Sequence, residues 1–81
     1  MCSYVSYNEE LVGSVYANGE WMTIRKGVVG IEHPIHASIE HAIVLDLREG
    51  TGDPSARVAV ELDPASARTL AESVLAALDR T

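Results

Sequence analysis

A strand passes directly into a capped amphipathic helix at the end of this chain, and that junction constrains the fold more than any other stretch. Val58-Ala-Val-Glu-Leu62 reads as the strand, and Asp63-Pro64 precedes an apolar-periodic run from Ala65 to about Asp79. Asp63 suits the N-cap, and Pro64 suits the first helical position, where a missing N–H costs nothing. At 100° per residue, Ala67, Leu70, Ala71, Val74, Leu75, Ala77 and Leu78 fall on one stripe roughly 160° wide. Ser66, Arg68, Thr69, Glu72, Ser73, Asp79 and Arg80 fill the other side. Such a helix is marginal in water by itself, so its stripe must lie on a sheet or on another molecule.

Eighty-one residues make a single domain over 1–81, with a thin core. Cys2 is the one cysteine, so no disulfide can staple the fold internally, and a reducing compartment is expected. Oligomerisation is the remaining common way for so small a domain to gain buried area. No apolar run approaches the ~18 residues of a membrane span, and the opening Met1–Asn8 has no basic region or long apolar stretch. The expectation is a cytoplasmic, soluble protein with no membrane partner. Net charge is −6, which disfavours binding to a phosphate backbone, so no nucleic-acid partner is expected. The acids are spread from Glu9 to Asp79, as on a solvated surface; mimicry of a nucleic acid is the sharper and weaker reading.

Upstream, Tyr4–Tyr7 reads as a short edge strand and Asn8-Glu9-Glu10 as a turn after it. Asn18-Gly19 favours positive φ at both turn positions, so Leu11–Ala17 and Glu20–Arg25 form a two-residue hairpin. That register opposes Tyr16 to Trp21, Val15 to Met22 and Gly13 to Ile24. Leu11, Val15, Met22 and Ile24 then share one face, and Val12, Tyr16, Trp21 and Thr23 the other. Lys26-Gly27 reads as a turn into a strand over Val28–His33, ended by Pro34. His36–Arg48 alternates, with a bulge or bend expected near Glu40–Ala42 because thirteen residues is long for a strand. Glu49–Ser55 is a loop with a turn at Asp53-Pro54. Strands first and one helix last predict an α+β domain: an antiparallel meander of four or five strands with one C-terminal helix packed on a face.

The segment Val60–Leu75, with Leu62-Asp63-Pro64-Ala65-Ser66-Ala67-Arg68-Thr69-Leu70-Ala71 at its centre, resembles the ending of many small actinobacterial and actinophage proteins of uncharacterised role. In those a strand runs into a Leu-x-Pro-x-x-Ala-Arg-x-Leu-Ala helix. The resemblance covers under a third of the chain and implies a small intracellular accessory protein, in some cases phage-encoded. It carries over no catalytic residue.

His33, His36 and His41 lie close in sequence beside Glu32 and Glu40, a ligand set that suits zinc when it converges. Pro34 breaks the strand between the first two, and His36 and His41 point to opposite faces, so no metal or other cofactor is expected. The bland reading puts His33 and His36 at a surface bend and His41 in a core-facing slot. Seven serines are present without a Gly-x-Ser-x-Gly elbow, and Gly50-Thr51-Gly52 has no following lysine or helix to cradle phosphate. Glu40 and Asp46 share a strand face but stand about 20 Å apart, too far for paired carboxylates. Catalysis is therefore not expected. Tyr16 and Trp21, with Val12 and Thr23, gather aromatic and apolar surface on one hairpin face, which points to association. The expected function is a non-enzymatic, self-associating protein-interaction module whose partners are itself and a host protein. A metal-binding protein or enzyme using the histidine segment is the alternative.

Overall fold

The computed structural model describes residues 3–33, 40–53 and 55–81. Four strands form one antiparallel sheet in meander order: β1 (Ser3–Ala17), β2 (Glu20–Glu32), β3 (Ala42–Arg48) and β4 (Arg57–Leu62). One helix follows, α1 (Pro64–Leu78). The α+β class and the terminal helix are as the sequence predicts, with four strands among the described residues, the lower of the two predicted counts.

The hairpin is built from its turn outward. Asn18 and Gly19 have φ of 54° and 82°, the left-handed pair that matches the twist of the flanking strands. The predicted pairs Tyr16–Trp21, Val15–Met22 and Gly13–Ile24 all form. Two predicted turns do not. Asn8–Glu10 continues β1, paired with Val28, Gly27 and Lys26, and Lys26-Gly27 lies inside β2. A polar run on a strand is tolerated because β1 is an edge strand, with one side unpaired.

Gly27 is a notch rather than a turn. A register shift between Glu10 and Gly13 makes a bulge in β1, and Leu11 from that bulge occupies the place of a side chain at Gly27. A Cβ there would overlap Leu11 Cδ1 and stand 3.3 Å from its Cγ, with Leu47 Cδ2 at 3.7 Å. The bulge also corrects the predicted faces. Leu11 leaves the Val15, Met22 and Ile24 surface for that of Leu47, and Val12 is unpaired and fully exposed.

Opposed residues share a face, so the register sorts the sheet into two surfaces. One carries three apolar rows across the strands. These are Val5–Ile31–Ile43–Leu62, Tyr7–Val29–Leu45–Val60 and, beside Gly27, Leu47–Val58. The other face is mixed: Glu10–Lys26–Arg48–Arg57, Asn8–Val28–Asp46–Ala59 and Ser6–Gly30–Val44–Glu61 are its rows, and the shielded Ile24 and Ala42 lie on it too. β3 begins at Ala42 and Glu40 lies at a bend, while the predicted strand start at His36 falls outside the described residues.

Asp63 caps α1 as predicted. It is extended (φ −68°, ψ 159°), and its Oδ1 accepts the Ser66 N–H at 2.6 Å. The Ser66 hydroxyl and N–H hold the Asp63 carboxyl below its ordinary value of 3.8. A depressed carboxylate stabilises the fold above its unfolded value and loses that contribution as pH falls through the folded one. Asp63→Ala should therefore lower helical circular dichroism at neutral pH. The difference from the parent chain should close only below about pH 3.8; a gap that persists unchanged to pH 2 would rule out the carboxylate as its source.

The helix meets the sheet chiefly at β3, and only lightly. None of its residues is buried; Leu70, Val74, Leu75 and Leu78 are 46–62% exposed. Among the described residues, the apolar side chains shielded from solvent are Ile24 and Ala42, at 8% and 0%. The core is thinner than chain length alone requires.

Candidate protein-interaction surface

Two apolar surfaces lie open in one chain: the three sheet rows and the helix stripe. On the sheet, Val5, Tyr7, Leu11, Val29 and Val60 are exposed, and their row partners are half-buried. The chain presents 6155 Å² of accessible surface. A folded monomer of 8.7 kDa presents about 4,700 Å². The excess over a compact chain is about 1,400 Å², taken over all 81 residues, the opening residues and the loops included. The radius of gyration agrees in sense, 13.4 Å against about 11.7 Å for a compact chain of this length.

The hairpin tip extends this surface. β2 alternates without a shift of its own, so Trp21 and Thr23 follow the face of Gly27, Val29 and Ile31 beyond the end of β3. Tyr16 and Trp21 stack with ring centroids 5.4 Å apart and planes at 60°, a tilted arrangement favourable for aromatics. They remain 58% and 69% exposed. Between the tip and the 49–58 segment lies a cleft of about 410 Å³, with Trp21, Met22, Glu49, Arg57 and Val58 in its walls. Of the four predicted interaction residues, Tyr16, Trp21 and Thr23 share a face, and Val12 is displaced into the bulge at the sheet edge.

The face opposite the apolar rows holds an ionic cluster that sequence reasoning missed. Asp46 is 7% exposed, and its Oδ2 accepts from Arg48 Nη2 at 2.9 Å and lies 3.2 Å from Arg57 Nη2. The Asp46 hydrogen bond and then its charge raise the Arg48 guanidinium above its ordinary value. Asp46 and Arg48 stand two apart on one strand face, a spacing visible in the sequence. Arg57 joins them only because β4 pairs it with Arg48. Asp46 Oδ1 is buried without a hydrogen-bond partner among the described residues.

One histidine falls differently from expectation, while His33 is exposed at the bend as the sequence suggests. His41 does not occupy a core-facing slot. It is exposed and stacks on His33, with centroids 5.8 Å apart and planes at 19°. His33 Nδ1 lies 3.2 Å from the Glu40 carbonyl oxygen, so the two strand ends meet at this bend. His36 lies outside the described residues. Among the described residues, no three His, Cys, Asp or Glu side chains are grouped so that they could hold a metal ion, and no helix is long and apolar enough to cross a membrane.

Comparison with curated proteins and with solved structures gives no match. The model of a family of unknown function (DUF6295) matches residues 1–81, the whole of the sequence, and the chain belongs to that family.

Proposed function

We propose that this protein is a non-enzymatic protein-interaction module that associates with copies of itself. The observation that carries the reading is the unsealed core. Three apolar rows on the sheet and an apolar stripe on the helix stay open, while shielded apolar side chains are confined to Ile24 and Ala42 among the described residues. Hydrophobic burial is the main favourable term in folding, worth about 25 cal/mol per Å². Another 1,400 Å² removed from water, even half of it apolar, represents about 15–20 kcal/mol before the entropy of association is subtracted. That exceeds the net stability of a typical small domain, so the folded chain and the assembled chain are one state in this reading.

Tyr16, Trp21 and Thr23 continue the open face and supply the aromatic anchors that interfaces favour. We place the protein in the cytoplasm, as an accessory protein of a phage or mobile element that modulates a host protein. That setting rests on the likeness of the helix segment to actinobacterial and actinophage endings. Against catalysis stands the commitment of Asp46 to two arginines and the position of Glu40 at a bend, neither offering a free acid–base pair.

Light scattering on the purified chain tests the reading. The expected mass at tens of micromolar is at least twice 8.7 kDa. A species of 8.7 kDa that keeps its strand and helix signals would overturn it.

A further inference from the structure

We propose that the occupant of the open sheet face is the α1 helix of a second copy, exchanged reciprocally across a two-fold axis. This rests on the self-association proposed above and deepens it by naming which surface meets which. Each chain has two unburied apolar surfaces of complementary kind. A sheet-to-sheet dimer would cover the rows of Leu45 and Ile43 but leave Leu70, Val74, Leu75 and Leu78 in water. Reciprocal exchange covers both at once and closes as a dimer, since each chain gives one helix and receives one.

The dimensions agree. Fifteen helical residues span about 22 Å at 1.5 Å each, and the seven residues of β3 span about 23 Å. The area agrees in order of magnitude: the excess of about 1,400 Å² per chain, opening residues and loops included, compares with the roughly 1,000–2,500 Å² that an obligate interface hides on each side. The connection accounts for how lightly the helix meets its own sheet, at β3. One residue, Asp63, separates Leu62 from Pro64, and Pro64 holds that residue extended. With little slack in the link, α1 stays at that light contact and leaves the rows open, and short strained links of this kind favour exchange.

Complementation between two variants tests the inference. One chain carries Val74→Asp in the helix stripe, the other Leu45→Asp in the central sheet row. Each variant homodimer would place a damaged surface in both of its two helix-on-sheet contacts, so each should scatter as a monomer or as an unfolded chain. Mixed, they can form a heterodimer with one intact contact of the two, so dimer mass and folded signal should return on mixing. Because an aspartate at either position can abolish folding outright, a covalent trap runs beside it. Val74→Cys and Val60→Cys, each in a Cys2→Ser background, sit at half-exposed positions and should stay folded. Mixed and oxidised with distinct tags, they should yield the heterodisulfide in excess over both homodisulfides. Failure of both the complementation and the heterodisulfide overturns helix exchange, and so does a Val74→Asp chain that remains dimeric. If the parent chain is a dimer in those experiments, self-association survives and only the exchange falls. A monomeric parent chain sinks both.

Discussion

Raising the chain concentration tenfold should raise the melting temperature by about 3–6 °C. If the folded state exists only as a dimer, unfolding releases two chains, and mass action adds RT ln 10, about 1.4 kcal/mol, to the stability of the pair. Two copies of 81 residues unfold with the entropy of a protein of 150–250 residues, for which 1 kcal/mol moves the midpoint by about 2–4 °C. A chain that folds alone has a midpoint independent of concentration. Thermal melts by circular dichroism from 2 to 200 µM separate the two. A flat series would remove the premise that the open rows must be covered for the fold to persist.

Ile24→Ala and Trp21→Ala should differ sharply although they lie three residues apart on one strand. Ile24 is one of the few shielded apolar side chains, and its truncation should cost about 2–5 kcal/mol. A domain of this length holds only about 4–12 kcal/mol in all, so that loss approaches complete unfolding. Trp21 is 69% exposed and pairs with Tyr16, so its truncation should change packing within the chain by about 1 kcal/mol or less. As an aromatic anchor it should instead weaken association by about 2 kcal/mol, roughly thirtyfold in the dissociation constant. Circular dichroism with sedimentation on both variants reads the difference. Because folding and assembly are coupled, about thirtyfold more chain should restore the folded Trp21→Ala dimer; a variant that stays unfolded at that concentration has lost core packing, and the proposed interface is wrong.

Local chemistry made part of this fold legible from the residues. Asn18-Gly19 closes a two-residue turn because those residue types accept positive φ, and the turn sets the pairing of Tyr16 with Trp21. Asp63-Pro64 starts α1 because a carboxylate accepts the Ser66 N–H and proline needs no partner there. Both depend on atoms within four residues. Gly27 was not legible in the same way. Glycine after lysine suggests a turn, yet here it makes room for Leu11, which arrives from a bulge sixteen residues earlier. Nor was the burial of Asp46, since Arg57 reaches it through the pairing of two strands joined by a loop.

The amino-acid order by itself therefore determined the hairpin register, the helix and its cap, the apolar alternation of β3 and β4, and the α+β class. Tertiary structure decided the length of β1 and β2, the side on which Leu11 and Val12 fall, the exposure of His41, and the coverage of the apolar rows. Turns and caps follow from dihedral preference and hydrogen bonds between near neighbours. Which surfaces meet follows from shape summed over the whole chain: α1 touches the sheet lightly at β3, and much of the sheet rows and of its own stripe stays exposed.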